Sequence, residues 1–382
     1  MIYLDHNAST PVRPEVAEAM RAALAEHGAN PSSMHQAGQH ARAAIERARA
    51  QVAALVHATP AEVVFVSGGT EGDHLALIGA AWARRADGRR VAVSTIEHHA
   101  VHGAAEWLAE LGFAIEPLAC GAEGMVDPAA IDALPADTTL ISLMLANNET
   151  GVLQPVAEAA RRARARGMRV HCDAVQAAGK VPVDAAALDV DYLVISAHKI
   201  GGPKGVGALI VRGGAPLAPL MRGSAHERGR RGGTENVSGI VGFGIAAESV
   251  ARELAAETPR LSALRARFER GLAAVAPDAV IHGVRAPRLP NTVNASFPGA
   301  RSDHLLMALD AAGIAVSAGA ACASGAVEPS PVLSAMGVPR ALAVCALRFS
   351  FGRGTTEAGI DAACLALADA VARARAVAGA GV

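Results

Sequence analysis

Short apolar runs alternate with helical patterns through the middle of the chain. Each run is bounded by polar or glycine-rich sequence, and the runs lie at residues 63–67, 91–95, 140–145, 169–173, 192–196 and 208–211. Strands that alternate with helices usually pair in parallel, and the helices between them cover both faces of the sheet. The pattern therefore predicts an α/β fold built on a mainly parallel sheet.

Two further patterns extend this prediction. Residues 36–57 place apolar side chains at helical spacing, with most charges on another side, which predicts an amphipathic helix. After about Gly244 we expect a long charged helix at residues 249–275, followed by strand-like segments at residues 291–297 and 347–351. Because the chain has 382 residues, this change of pattern predicts a second, smaller domain.

Composition narrows the function classes. The formal net charge is −1 with mixed signs, so the chain lacks the basic stripe typical of nucleic-acid binding. No apolar run is long enough to span a membrane, and Met1 leads directly into Ile-Tyr-Leu-Asp-His, so we expect no membrane association and a cytoplasmic location. The 5 dispersed cysteines, with no CxxC pair, predict reduced thiols.

A lysine follows one of the predicted strands. Residues 191–204 deliver Ser196, His198 and Lys199 into a glycine-rich turn. An amine that attacks an aldehyde must lose its proton near neutral pH, and cationic or apolar neighbours lower its pKa. Such a position suits a Schiff-base lysine, although a single lysine after a strand is also typical of a solvated loop.

Other strand ends carry complementary groups. The turn at residues 67–72 exposes backbone N–H groups at a helix start, where they can hold a phosphate. His98 follows a second strand and could stack on a planar cofactor. Asp173 ends another and could either cap a helix or pair with a pyridinium nitrogen, while Gln176 or Asn148 could bond a phenolic oxygen. Together with Lys199 these groups match the requirements of pyridoxal 5′-phosphate (PLP), whereas no ligand spacing indicates a metal site.

The predicted small domain adds two candidates. Cys322 lies in a Gly/Ala-rich loop at residues 318–326, where a thiol could approach a substrate and move away, or could be a passive small residue. Arg348 is a charge inside an apolar strand and needs a partner. A substrate carboxylate or an internal ion pair would satisfy it.

In these motifs the chain resembles the cysteine desulfurases, PLP enzymes of aminotransferase class V, in the NifS/IscS-like branch. The resemblance covers nearly the whole chain, in the motifs YLDHNASTP, NPSS, SGGTEG, EHHAV, NNETG, HCDAVQ, SAHKIGGPKG, HERGRRGGTEN, the Cys322 loop with VEPS, and RFSFGR. It implies the PLP-dependent transferase fold type I, with a mainly parallel seven-stranded sheet in a large domain and a smaller α+β domain. The large domain would span residues 13–248, and residues 1–12 and 249–382 would form the small one.

The resemblance also implies a role for each site residue. Lys199 and Cys322 would be catalytic, with His98 stacked on the ring. Arg348, with Asn30 and Asn148, would bind the substrate. The residues implied to hold PLP are Gly69, Thr70, His98, Asn148, Asp173, Gln176, Ser196, His198, Lys199 and, from the second subunit of a homodimer, Thr234.

The implied reaction converts L-cysteine to L-alanine and leaves a persulfide on Cys322, which supplies sulfur to an acceptor or iron–sulfur scaffold protein. Cys322 would then contact an iron–sulfur cluster transiently. A selenocysteine lyase, a catalytically weak PLP-binding scaffold in a sulfur relay and a class V aminotransferase without sulfur chemistry are the alternatives. One departure from the family is His74, which stands where an asparagine is usual.

Overall fold

The structure is a computed structural model, and it describes residues 1–318 and 328–379. The strands are β1 (Ile2–Tyr3), β2 (Val63–Val66), β3 (Arg90–Ser94), β4 (Ala114–Leu118), β5 (Thr138–Ser142), β6 (Arg169–Asp173), β7 (Tyr192–Ser196), β8 (Gly207–Val211), β9 (Val280–Ile281), β10 (Thr292–Ser296), β11 (Ile314–Ala315) and β12 (Ala346–Ser350). The α-helices are α1 (Pro14–Glu26), α2 (Gln36–Leu55), α3 (Gly69–Ala83), α4 (His99–Glu110), α5 (Val156–Ala165), α6 (Val237–Val275), α7 (Ser302–Ala311), α8 (Pro331–Ala335), α9 (Arg340–Ala343) and α10 (Glu357–Gly379).

A seven-stranded sheet forms the centre of the larger part of the molecule. Its strand order is β2-β8-β7-β6-β5-β3-β4. All neighbouring pairs are parallel except those that involve β8, which runs against both β2 and β7. The expected mainly parallel α/β sheet is therefore confirmed. Because β2, β3, β5, β6 and β7 run in the same direction, their carboxyl ends meet at one edge.

The sheet is buried on both faces, which explains the continuous apolar runs of its strands. In β7, Leu193 and Ile195 belong to a core cluster that includes residues of α2, whereas Tyr192 and Val194 belong to a second cluster with residues of α3. Alternate side chains of a strand point to opposite faces. Helices packed on both faces thus hold the carboxyl edge in a fixed position.

A second hydrophobic core lies around the antiparallel sheet β12-β10-β9. Phe268 and Phe349 stack within it at a ring-centroid distance of 4.6 Å, and Phe351 lies edge-on to Phe268. Leu4, from the start of the chain, is fully buried in the same cluster. The start of the chain thus packs with its last third, while the residue limits assigned to the two domains stay a prediction.

Helix α6 begins earlier than the predicted residue 249, and it passes through both cores. The Asn236 side chain caps its start by accepting from the Gly239 N–H at 3.1 Å. Glycines in the first turns weaken the sequence signal for a helix. They are needed because a Cβ at Gly244 would lie 2.7 Å from Ala48 Cα, and one at Gly242 would lie 2.7 Å from Met20 Cγ. The glycines let α6 pack closely against α2 and α1.

Within residues 1–318 and 328–379, the structure contains no helix both long and apolar enough to cross a membrane.

Candidate active site

Lys199 lies directly after β7, in a short 3₁₀ turn at the carboxyl edge. Its amine donates to the main-chain carbonyls of Asn7 at 2.5 Å and Ala8 at 2.9 Å. Burial, reinforced by the positive charge of Arg348, lowers the pKa of Lys199 from 10.5 to about 8. A substantial fraction of this amine is therefore neutral, and nucleophilic, at slightly alkaline pH.

Asp173 ends β6, beside the strand that leads to Lys199. Its side chain is 6% exposed, and its Oδ1 accepts from the Val175 N–H at 2.8 Å. Burial raises the pKa of the Asp173 carboxyl to about 6, while the Val175 N–H and Lys199 act in the opposite direction. The local bond to Val175 is of the type that caps a turn, and it leaves the carboxyl capacity for a second partner.

Gln176 follows Asp173 in the next turn and is 5% exposed. Its Nε2 donates to the Asn7 carbonyl at 2.9 Å, and its Oε1 accepts from Lys180 Nζ at 2.7 Å. Asn7 in turn donates through Nδ2 to the Asn148 carbonyl at 3.2 Å. The segment around Asn7 therefore connects three strand-end loops of the sheet to one another.

The glycine-rich turn after β2 and the end of β7 approach each other through the antiparallel strand β8. A Cβ at Gly207 would lie 2.9 Å from Gly68 Cα, so the close contact requires glycine. Ser196 is 2% exposed, and its Oγ has no hydrogen-bond partner within the described residues. Buried hydroxyls normally have a partner. Ser196 is thus a ready donor for an anion such as a phosphate held by the turn that contains Gly69 and Thr70.

Two histidines of the site are neutral near pH 7. His98 caps α4 by accepting from the Ala100 N–H at 3.1 Å. Although the residue is exposed overall, partial desolvation by the cleft walls, with Lys199 and His99, lowers the pKa of His98 to about 4. Burial and Lys199 likewise lower the pKa of His198 to about 4, and its Nδ1 lies 3.3 Å from Ser9 Oγ. A neutral ring suits stacking and hydrogen bonding better than charge pairing.

Arg348, on β12, reaches the same cleft from the second core. It is 5% exposed and pairs with Asp5 at 2.7 Å, while its Nη1 donates to the Asn148 carbonyl at 3.1 Å. An internal ion pair is thus present, yet the buried Arg348 Nε and Asn148 Oδ1 have no partner within the described residues. The guanidinium therefore keeps a donor for a further anionic group.

Cys322 lies outside the described residues, but the chain on both sides of it is fixed at the cleft. Before it, the main chain of Ser317 pairs with that of Arg348 through bonds of 2.7 and 3.2 Å. After it, the Ser330 hydroxyl donates to Glu149 Oε2 at 2.5 Å, next to Asn148. The segment that carries Cys322 therefore leaves and rejoins the described chain beside Arg348 and Asn148.

The other cysteines are poor nucleophiles. Cys172, Cys345 and Cys364 are buried, and Cys120 is half-buried. Burial raises the pKa of each of these thiols, to about 11 for Cys364. Since the thiolate is the reactive form, none of the four is activated.

Asn30 and Thr234 are both exposed in the single chain. The Asn30 side chain accepts from the Ser32 N–H at 2.9 Å. Thr234 lines a small cavity with Arg231 and Ser67, the first residue of the phosphate-type turn. Lys199 donates to the carbonyls of Asn7 and Ala8 and to neither of these residues.

The unusual His74 bonds within its own helix. Its Nδ1 lies 2.9 Å from the Thr70 carbonyl, and its ring is tilted against Trp107 at 6.4 Å between centroids. The substitution thus links the first turn of α3, next to the phosphate-type turn, to α4.

Sequence reasoning missed two polar residues in the centre of the site, Asn7 and Lys180. Both are nearly fully buried, at 1% and 5% exposure. Their partners are far apart in the chain, so no local spacing predicts the contact. For Lys180 the available signal was a charge within the small and apolar segment at residues 177–183, and for Asn7 it was its place in the motif YLDHNASTP.

This set of groups can hold PLP. The unpartnered Ser196 hydroxyl and the turn N–H groups suit its phosphate, buried Asp173 suits the ring nitrogen, and the Lys199 amine suits the aldehyde. Within residues 1–318 and 328–379, no group of three or more His, Cys, Asp or Glu side chains could hold a metal ion.

Comparison with known proteins agrees with this architecture. The profile of the family "Aminotransferase class-V" matches residues 2–363. The chain is 44% identical to the cysteine desulfurase IscS of Dictyoglomus turgidum, over 94% of this chain and 92% of the relative.

Two solved structures share the fold. A NifS-like protein superposes with a TM-score of 0.91 at 36% identity and covers 97% of this chain and 99% of its own. A structure described as SspA in complex with cysteine superposes with a TM-score of 0.81 at 31% identity, over 92% and 99% of the two chains.

A PLP-dependent enzyme of class V is thus defined by both the fold and the site. The chain belongs to the class-V aminotransferase family and, within it, to the cysteine desulfurases.

Proposed function

We propose that this chain converts L-cysteine to L-alanine and holds the released sulfur as a persulfide on Cys322. The observation that carries the proposal is the attachment of both ends of the Cys322 segment at the cleft, through Arg348 and Glu149. A cleft with a Schiff-base lysine explains many PLP reactions, but only sulfur transfer needs a thiol supplied beside the carboxylate clamp.

PLP, when bound, supplies an electron sink that weakens bonds at the substrate Cα and Cβ. Gly69, Thr70, Ser196 and His198 would hold its phosphate, with Thr234 contributed by the second copy. His98 would cover the ring, and Asp173 would keep the ring nitrogen protonated. Asn148 and Gln176 would lie at the phenolic oxygen.

Lys199 moves protons in this proposal. With a pKa of about 8, the amine can both take a proton from the substrate and return it near neutral pH. The main-chain carbonyls of Asn7 and Ala8 accept hydrogen bonds from the free Lys199 amine and hold it in position.

Arg348 holds the substrate carboxylate, assisted by Asn30. It already carries a salt bridge to Asp5, so it is held in place before the substrate arrives. The buried Nε without a partner is available for a substrate oxygen. A prepositioned guanidinium loses less side-chain freedom on binding.

The sulfur step balances without an added oxidant. The Cys322 thiolate attacks the substrate sulfur, the Cβ–S bond breaks, and its electron pair stays with carbon, which is protonated to give alanine. Sulfur remains on the enzyme as Cys–S–SH. An acceptor protein, such as an iron–sulfur scaffold or a thio-cofactor enzyme in the cytoplasm, would then receive it.

A homodimer completes the proposed site. Asn30 and Thr234, which the resemblance assigns to substrate and phosphate, are both exposed in the single chain. A second copy that covers them would bring Thr234 to the neighbouring phosphate turn. Light scattering should therefore give twice the mass of the chain.

The proposed function is tested by alanine and sulfide formation from L-cysteine with a reductant, comparing the parent with Cys322→Ala at equal PLP content. We expect at least about a hundredfold loss in Cys322→Ala, because the nucleophile is gone. Cys120→Ala is the matched control and should retain activity. Mass spectrometry after a single turnover should show a 322-containing peptide carrying one extra sulfur.

Equal activity in Cys322→Ala and parent would show that no persulfide on this residue is required and would favour a lyase that releases the chalcogen without it, such as a selenocysteine lyase. Lack of activity in both, with PLP bound, would favour the scaffold role.

A further inference from the structure

Lys180 is a buried amine whose contacts are all to amides. It is 5% exposed, and its Nζ donates to Asn7 Oδ1 at 3.0 Å and to Gln176 Oε1 at 2.7 Å. Within residues 1–318 and 328–379, no carboxylate forms an ion pair with it. Burial, with the positive charges of Lys199 and Arg348, lowers the pKa of Lys180 well below its usual value. Since burying an unpaired amine costs free energy, its retention calls for a function.

The two ends of a glutamine amide have nearly the same shape, so its partners decide which way it points. The Asn7 main-chain carbonyl can only accept, so the Gln176 atom that faces it is the amide nitrogen; the atom that faces Lys180 is then the carbonyl oxygen, which accepts from an N–H of the amine. The amide nitrogen then has two N–H groups. One of them donates to the Asn7 carbonyl at 2.9 Å, which leaves the other for a ligand.

The same reasoning orients Asn7. Its Oδ1 accepts from both Lys180 and Asn291 Nδ2, so its Nδ2 donates to the Asn148 carbonyl and to Thr292 Oγ1. With its side chain fixed at both ends, Asn7 presents its main-chain carbonyl to Lys199 Nζ at 2.5 Å. Lys180 thus donates to the carbonyl oxygens of two amides beside the Schiff-base amine and helps to hold both in these directions.

We propose that Lys180 is a positioning residue: by donating to Asn7 and Gln176, it makes Gln176 present an N–H, not a carbonyl, to the phenolic oxygen of the cofactor. The inference rests on the proposed PLP site and adds a residue that decides whether the site offers a donor or an acceptor to the phenolic oxygen. A donor at the phenolic oxygen stabilises the phenolate, and the Lys180 side chain would thereby lower the pH at which the Lys199 nitrogen loses its proton in the bound state.

The test uses Lys180→Met, which keeps an unbranched side chain only one atom shorter and removes the donor. The matched control is Thr258→Val, because Thr258 Oγ1 donates to the Lys180 main-chain carbonyl at 3.0 Å and does not contact the amine. For each protein we would measure the dissociation constant of PLP from the apoprotein and the pH midpoint of the absorbance of the bound cofactor. The urea midpoint of the apoprotein monitors folding.

We expect Lys180→Met to weaken PLP binding about tenfold, as for the loss of a hydrogen bond to a charged group, and to raise the pH midpoint. Thr258→Val should leave both quantities near those of the parent. In a Gln176→Leu background, Lys180→Met should add little, because the effect passes through Gln176.

A full additional shift in the Gln176→Leu background, or values for Lys180→Met equal to those of Thr258→Val, would overturn the inference. Failure of the proposed function has a different signature, since the parent would then show no PLP absorbance that depends on Lys199. A folded Lys180→Met apoprotein, shown by its urea midpoint, ensures that a loss of PLP binding reports on the site.

Discussion

The two sides of the cleft carry opposite ionisable groups. On one side lie three carboxyls, Asp73, Glu97 and Asp173, which are 1%, 4% and 6% exposed. Burial and their mutual repulsion raise the pKa of Asp73 and Glu97 well above the usual range. The nearest base is His171, 3.4 Å from Asp73, and burial lowers the pKa of that imidazole to about 3, so it brings no positive charge.

The opposite side of the cleft is basic. Lys180 and Arg348 are almost fully buried next to Lys199, and only Arg348 has a carboxylate partner, Asp5, within the described residues. Burial and these like charges lower the pKa of the two lysines.

Each side moves its reactive group toward neutrality. The carboxyl and amine pKa values, 3.8 and 10.5 in isolation, become about 6 for Asp173 and about 8 for Lys199. Groups with pKa values near the working pH exchange protons with the smallest free-energy change. Burial is the largest cause of both shifts, and it brings the acid and the base into the same pH range although Asp173 and Lys199 each oppose the shift of the other.

Removal of the Lys199 amine should have the largest effect on activity. Lys199→Ala should lower alanine formation from L-cysteine by at least about a thousandfold, because the variant lacks the amine that is proposed to bind the cofactor aldehyde and to move the proton. The control is Lys204→Ala, an exposed lysine of the same loop, which should stay within about twofold of the parent. Similar losses in both variants would show that loop charge, not the Lys199 amine, is what matters.

Removal of the guanidinium should weaken the basic side. Arg348→Ala should raise KM for L-cysteine about a hundredfold, through the loss of charged hydrogen bonds to the carboxylate. It should also raise the pH optimum, because Arg348 helps to lower the pKa of Lys199. Exposed Arg353→Ala is the control for steady-state kinetics. A fall in kcat at unchanged KM would contradict a role in substrate binding.

The Asp173 carboxyl should make the free energy of unfolding of the apoprotein depend on pH. The pKa of Asp173 is about 6 in the fold and near 3.8 when unfolded, so the folded state binds the proton more tightly. The free energy of unfolding should therefore fall, by about 2 kcal/mol, as the pH rises from about 4 to about 6.

Asp173→Asn should remove that part of the slope in urea titrations, whereas Asp369→Asn, at an exposed site, should retain it. If Asp173→Asn kept the full slope, the carboxyl would not be the group that titrates.

The sequence located the strands that lead into the site, but it did not give the limits of every strand correctly. Apolar runs located the strands that end at Asp173 and at Ser196, and hence the edge where the site forms. The strand expected at residues 140–145 instead spans Thr138–Ser142, because the apolar residues after it are buried in a loop that no longer pairs regularly. An apolar run indicates burial, and burial does not require strand pairing.

Polar contacts between residues far apart in the sequence could not be predicted from local sequence patterns. Residues 213–233 are rich in Gly and Arg, which predicts an exposed loop, but Glu227 within it is 3% exposed and forms an ion pair with Arg49 at 2.7 Å. Glu227 adopts a left-handed backbone with φ of 45° to do so. Asn7 and Lys180 are similar cases, since their roles depend on partners from distant parts of the chain.

The contacts of residues 5 and 7 determine when the cleft can form during synthesis. Asn7 and Asp5 each contact a partner 343 positions further along the chain, Ser350 and Arg348 respectively. On the ribosome, Lys199 is therefore made long before β12 can fix the segment around Asn7, whose carbonyl accepts from the Lys199 amine. A nascent chain therefore lacks a finished cleft until β12 has been made, and the cleft can capture a cofactor only after that point.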